Sequence, residues 1–249
     1  MRYLPIAALP LLLSCSSSHH LSDASPGQSP HMLTRQVTTT VNVGYLLYLP
    51  KDYPGGTRRW PLLVFLHGSG ESGTDLEAVK RNGPPKLADE GRDLPFVILS
   101  PQRSDGNSWT PSTIRMLIDE VAGECRIDTD RICLTGVSMG GFATWDLALE
   151  MPGVFAAIAP VCGGGNPDAV CALRDLPVWV FHGAKDNIVP IESSEQMVTA
   201  LKACGGNVNF TVYPGVGHNS WDSAYSDPGL YRWLLAQHRQ PRSSPGKGR

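Results

Sequence analysis

Pro61-Leu62-Leu63-Val64-Phe65-Leu66 runs without a polar break, the pattern of a strand covered by apolar neighbours on both faces. Similar short runs recur at residues 96–99, 131–134, 155–161 and 178–181. Between them, Ile114, Leu117, Ile118 and Val121 fall on one face of a helix predicted over 112–124. Further helices are expected at 141–150, 191–204 and 230–238. The earlier stretch 36–50 alternates instead, with Val37, Val41, Val43, Tyr45, Leu47 and Leu49. That predicts one or two antiparallel strands with one half-buried face. Residues 208–213 alternate too and read as the last strand. Strand and helix alternate from about residue 60 onward, which predicts an α/β fold: a mainly parallel central sheet with helices on both faces. The gaps between elements are short, so no large lid domain is expected.

The ends of the chain carry a different pattern. Met1-Arg2 precedes an apolar run at 4–13, too short to span a bilayer as a stable helix. Residues 1–14 therefore read as a secretory signal. It closes with Leu12-Leu13-Ser14-Cys15, which resembles a bacterial lipobox and makes Cys15 the expected lipidation site. Leu13 is bulkier than most such signals carry, so cleavage at an ordinary signal-peptidase site is the alternative. The expected location is then a bacterial lipoprotein at the outer membrane, periplasm or cell surface, with simple secretion as the alternative. Residues 15–33 are Ser-, Pro- and His-rich and suit a flexible tether. Residues 34–239 form the folded domain, and 240–249 a basic tail.

Composition narrows the picture further. The 249 residues, 41% hydrophobic and 18% charged, suit one domain with a sizeable core. A formal net charge of −2 gives no basis for nucleic-acid binding, and membrane contact is expected only through the N-terminal lipid. An exported domain permits disulfides. With Cys15 set aside, five cysteines remain, so at least one is free; Cys162 and Cys171 flank a Gly/Asn/Pro loop and are the expected pair. Cys133 lies inside an apolar run and reads as a core residue. No His/Cys group has metal-ligand spacing, so no metal is expected.

The chemistry gathers at strand ends, where ligands sit in such sheets. Gly136-Val137-Ser138-Met139-Gly140 joins a strand to a helix, the nucleophile-elbow pattern. Two glycines allow strand and helix to meet closely, and the turn holds the Ser138 hydroxyl outward. After the run at 178–181 comes His182-Gly183-Ala184-Lys185-Asp186, and after 208–213 comes Pro214-Gly215-Val216-Gly217-His218. Ser138 is the expected nucleophile, His218 its general base and Asp186 the carboxylate that orients the base. Asp222 is a rival carboxylate. His182 reads as structural, hydrogen-bonded under the Asp186 loop. The oxyanion is expected to meet the Met139 N–H at the helix N-terminus and the Ser69 N–H of His67-Gly68-Ser69-Gly70, with Gly68 as the alternative donor. His67 is expected to be scaffold, and Glu71 a solvated loop carboxylate. Gln102, Trp109 and Trp221 are candidates for lining the substrate cleft, or for packing their loops. Such a route needs no cofactor.

Taken together, Tyr48-Leu49-Pro50, His67-Gly68-Ser69-Gly70-Glu71, Gly83-Pro84-Pro85, Gly136-Val137-Ser138-Met139-Gly140-Gly141, His182-Gly183-Ala184-Lys185-Asp186 and Gly217-His218 resemble the α/β-hydrolase superfamily. The resemblance is to its phospholipase/carboxylesterase and dienelactone-hydrolase-like esterases, often labelled "predicted peptidase", and it covers roughly residues 37–235. It implies an α/β-hydrolase catalytic domain over 34–239 and a secreted serine carboxylesterase. The implied substrates are short-chain or carbohydrate-linked esters of acetyl or feruloyl type, small or on a polysaccharide. Dienelactone hydrolases use a cysteine nucleophile, and Ser138 argues against that activity. A serine peptidase acting on small peptides is the alternative enzyme; a non-catalytic binding module would predict a broken triad.

Overall fold

Strand β2 (Trp60–Leu66) shows why the sheet is covered twice. Its side chains alternate between two separate apolar clusters: Leu62, Val64 and Leu66 enter one, Leu63 and Phe65 the other. A strand with no polar position has two faces to bury, and period-2 geometry sends them to opposite layers. A computed structural model describes residues 40–104 and 109–239 of the chain. The proposed signal, Cys15, the tether and the tail from residue 240 lie outside the described residues.

The remaining strands are β1 (Tyr45–Tyr48), β3 (Val97–Pro101), β4 (Ile127–Val137), β5 (Ala157–Val161), β6 (Val178–Gly183) and β7 (Val208–Tyr213). They form one seven-stranded sheet in the order β1-β3-β2-β4-β5-β6-β7. Only β1 is antiparallel, along β3; every other pairing is parallel. The helices are α1 (Gly83–Asp89), α2 (Pro111–Glu124), α3 (Met139–Glu150), α4 (Glu192–Ala203), α5 (Ser220–Ser226) and α6 (Pro228–Leu235). One face carries Ile114, Ile118 and Val121 of α2, Trp145 and Ala148 of α3, and Met197 and Leu201 of α4. The other carries Ala224 and Tyr225 of α5 and Leu230 and Leu234 of α6. This is the α/β-hydrolase fold.

Three details differ from the pattern reading. Among the described residues of 36–50 only Tyr45–Tyr48 pairs as a strand; Leu49 stands 41% exposed and Pro50 offers no N–H to continue the ladder. Two short helices, α1 and α5, fall where the chain shows no clear period. Each has about two turns, too few to display one.

The third difference is the disulfide. Cys171 pairs with Cys204, not with Cys162. Cys171 lies on a 3-10 helix (Val170–Leu173) packed against α4, and Cys204 caps the C-terminus of α4. Their Cα atoms are 5.5 Å apart, a separation a disulfide spans. Cys162 is fully buried at the end of β5 and, with Cys125 and Cys133, is free. Closing 33 residues restricts the unfolded chain by about 3–4 kcal/mol. Cys204→Ser is therefore expected to lose about that much stability in denaturant titration under oxidising conditions. Peptide mapping should return the 171–204 pair in a Cys162→Ala variant; a 162–171 bridge in the parent chain would contradict the assignment.

Candidate active site

β4 ends at Val137 and α3 begins at Met139, so a single residue, Ser138, makes the whole turn. Its backbone is held at φ 52° and ψ −116°, a region that costs a non-glycine residue about 1–3 kcal/mol. Two backbone bonds hold it there: Ser138 N–H donates to Val161 O at 3.0 Å, and Phe142 N–H to Ser138 O at 3.0 Å. The turn also needs space. A Cβ on Gly136 would lie 2.3 Å from the Gly140 carbonyl oxygen, and one on Gly140 only 2.1 Å from the Leu66 carbonyl oxygen. Both contacts are with backbone, which cannot swing aside.

The other two triad candidates arrive from the next strands. Asp186 follows β6 and His218 follows β7, and the two loops touch at Gly183, where a Cβ would come within 2.2 Å of the Gly217 oxygen. His218 Nδ1 lies 2.8 Å from Asp186 Oδ2, and His218 Nε2 lies 2.9 Å from Ser138 Oγ. Ser138, His218 and Asp186 thus form one hydrogen-bonded line. Asp186's side chain is fully buried, His218's one-fifth exposed. Burial pushes the Asp186 carboxyl up, but hydrogen bonds from His218 and from the Val189 and Ile188 N–H groups outweigh it and hold it below the usual value. An ionised carboxylate on Nδ1 leaves Nε2 free to take a proton from the serine.

The oxyanion candidates flank this line. Met139 opens α3, so its N–H has no intrahelical acceptor. Ser69 and Gly68 lie where β2 gives way to a 3-10 turn (Ser69–Glu71), and a Cβ on Gly68 would sit 3.8 Å from Ser138 Cβ. No backbone acceptor for the Ser69 or Met139 N–H is found among the described residues. His67 is buried beneath the loop, with Nδ1 2.6 Å from Gly68 O and Nε2 accepting from Arg103 N–H at 2.9 Å. Burial pushes its imidazole below the usual value, with the Gly68 carbonyl pulling the other way, so it braces the loop as a neutral ring.

The cleft candidates fare differently. Trp109 is only 8% exposed, belongs to the core and stands edge-on to His67 at 4.7 Å. Gln102 is 5% exposed and donates its amide to the Glu71 and Asp75 carbonyls. Both brace the loops around His67 and Glu71, and Gln102 also borders a cavity of about 410 Å³ with Asn42, Gly73 and Leu76. Trp221 remains beside the site, its ring edge-on to His218 at 5.2 Å. It lines a cavity of about 180 Å³ together with Lys86, Asp222 and Tyr225. Asp222 points away from His218, with Oδ1 3.5 Å from Lys86 Nζ.

Glu71 corrects the reading as a solvated carboxylate, for it is 6% exposed. Its Oε1 accepts from Asn82 Nδ2 at 2.8 Å, and Asn82 Oδ1 accepts from Trp221 Nε1 at 2.9 Å. This strut ties the oxyanion loop to the ring beside His218. Glu71 lies four residues past His67, and nothing local to the sequence shows that Asn82 would cover it. Cys162 was also missed. Its thiol lies within 4.8 Å of ligand atoms on Asp186 and His218. Burial pushes that thiol up to about 12, so it stays neutral. A cation there would have to break the His218–Asp186 hydrogen bond.

A strained serine at a strand-to-helix turn, with a histidine and a buried carboxylate in line behind it, is set in an α/β-hydrolase fold. Residues 98–227 match the family model described as phospholipase/carboxylesterase, and the chain belongs to that family. It is similar to the bifunctional acetylxylan esterase/xylanase of Neocallimastix patriciarum, 33% identical over 142 residues, which are 54% of this chain and 20% of that protein. It is also similar to poly(3-hydroxyalkanoate) depolymerase C of Paucimonas lemoignei, 29% identical over 174 residues, 63% of this chain and 38% of that one. A solved thermostable esterase is 34% identical with a TM-score of 0.69, covering 81% of this chain and 60% of that structure. The chain spans about a fifth to two-fifths of the length of these two curated relatives.

Close approach at the elbow makes a sharp prediction. Gly140→Ala should cost more than about 4 kcal/mol, because a methyl group inside a backbone contact forces both elements apart. Gly215→Ala, where a Cβ would meet nothing within 4 Å, should change stability by less than about 1 kcal/mol. Chemical denaturation of both variants compares them directly; equal effects would contradict the packing described.

Proposed function

We propose that this chain is a serine carboxylesterase that cleaves short-chain or carbohydrate-linked esters, of acetyl or feruloyl type, through an acyl-enzyme. The unbroken line from Ser138 Oγ through His218 to Asp186 carries the reading. In it Ser138 attacks the ester carbon while His218 Nε2 takes its proton. The Met139 and Ser69 N–H groups hold the oxyanion. His218 then returns the proton to the leaving alcohol, and water enters by the same route to release the acid. One relative is named for acetylxylan and one for a poly(3-hydroxyalkanoate), which supports an ester on a hydroxyl-rich or polymeric partner. The open side of Trp221 gives a flat aromatic wall beside the base for a sugar or phenolic ring. We also propose that the protein is exported and anchored through Cys15; the Cys171–Cys204 disulfide supports an oxidising compartment.

The test compares the protein with its Ser138→Ala variant on nitrophenyl acetate, butyrate and decanoate, methyl ferulate, acetylated xylan and an aminoacyl-nitroanilide. Ester turnover is expected to exceed amide turnover and to fall by about 10³-fold or more in the variant. Equal rates in both proteins would overturn the esterase reading. Amide turnover above ester turnover would replace it with a peptidase.

A further inference from the structure

His182 has a set of partners that fixes where its protons are. The ring is fully buried at the end of β6. Its Nδ1 lies 2.8 Å from Ser194 Oγ. That hydroxyl in turn donates its one hydrogen to the Gly163 carbonyl at 2.8 Å, and a carbonyl cannot donate in return. No backbone N–H among the described residues serves the Gly163 carbonyl. If Ser194 gave its hydrogen to the ring instead, two oxygen lone pairs would face each other at 2.8 Å, buried and unpaired. Ser194 therefore accepts, and Nδ1 carries a hydrogen.

The other nitrogen meets only acceptors. His182 Nε2 lies 3.0 Å from Val189 O and 3.2 Å from Asp186 Oδ2. The Val189 carbonyl has no backbone N–H donor among the described residues. A bare Nε2 lone pair between a carbonyl and a carboxylate would be repelled by both, so Nε2 carries a hydrogen as well. Both ring nitrogens are donors only when the imidazole is charged. A buried charge needs a counter-ion, and Asp186 stands in contact.

We infer that His182 is held as a buried imidazolium, and that it acts as a positioning residue by sharing Asp186 with His218. Asp186 then accepts three hydrogen bonds, from the Ile188 and Val189 N–H groups on Oδ1 and from His218 on Oδ2, while His182 Nε2 stands in ion-pair contact with the same Oδ2 at 3.2 Å. The two histidine nitrogens contact the same oxygen at 2.8 and 3.2 Å, so they are no more than about 6 Å apart, within range for one charge to oppose another. Among the described residues, the titratable group in contact with His182 is Asp186 on its own loop, and His218, beyond β7, meets the same carboxylate oxygen. Asp186 attracts a positive charge on His218. The second cation, on the same carboxylate oxygen, opposes the positive charge that His218 takes up with the serine proton. The hydrogen-bonded line Ser138–His218–Asp186 thus ends on an ion-pair contact with His182, a fixed charge at its inner end.

This rests on the esterase reading for its consequence but not for its measurement. In the full-length protein labelled with ¹⁵N, long-range ¹H–¹⁵N correlation spectra report each histidine ring nitrogen as protonated or bare. Between pH 6 and 8 both His182 nitrogens are expected in the protonated range. The signal is assigned by its loss in His182→Gln or, should that variant not fold, by its displacement in Ser194→Ala. One bare nitrogen would overturn the inference. In the pH profile of kcat/KM, the acid limb of His182→Gln is expected to move up by about one pH unit, so that its rate on the acid side falls about tenfold. Ser194→Ala, which removes the acceptor of the Nδ1 hydrogen, should move the limb the same way. A limb that stays in place while the rate falls at every pH would reduce His182 to packing. Should Ser138→Ala retain ester turnover, the esterase reading fails while the ring-nitrogen result still stands.

Discussion

No side-chain atom fits between the first turn of α3 and the last carbonyl of β2. A methyl group on Gly140 would lie 2.1 Å from the Leu66 oxygen, closer than any bonded-free contact allows. The site depends on that constraint. Because helix and strand meet there, Ser138 must turn the chain alone, in a backbone region it would not choose. The same contact brings the start of α3 beside the end of β2, where the Gly68–Ser69 loop begins. Strain at Ser138 is sustained by the packed sheet around it, where β2, β4 and β5 carry almost no exposed side chain. A rigid apolar core thus holds a polar, strained edge in place.

From that edge the polar network spreads by hydrogen bonds rather than by apolar contact. Asp186 joins the loops after β6 and β7 and, through His182 and Ser194, reaches α4 and the end of β5. On the other side, Glu71 and Asn82 join the Gly68–Ser69 loop to α5 through Trp221. Ser138, Asp186, His218 and the Gly68–Ser69 loop follow four different strand ends. Two buried polar struts keep those ends in register, a task that apolar packing beneath the sheet cannot perform at this resolution of geometry.

How much of this was legible beforehand follows from range. The strands β2 to β6 could be read because a strand buried on both faces leaves a continuous apolar run. The positions of Ser138, Asp186 and His218 could be read because each lies on the connection after a strand that its apolar pattern marks, continuous in β4 and β6 and alternating in β7, so strand ends bring them to one edge. Partners chosen by packing could not be read. Cys171 meets Cys204 only because a 3-10 turn lies against the end of α4, and Trp109 turns inward only because His67 offers it an edge. Glu71 looks solvated until Asn82, eleven residues on, folds over it. The short helices α1 and α5 are held by neighbours, not by their own period.

The central claim is that Ser138 itself carries the acyl group. Mixing the protein with nitrophenyl butyrate, quenching in acid during the first turnovers and mapping the peptides by mass spectrometry tests it directly. The account predicts a butyryl group on Ser138. It also predicts that the group vanishes in Ser138→Ala and forms far more slowly in His218→Ala. Steady hydrolysis with the acyl group on another residue, or with Ser138 never acylated, would contradict it.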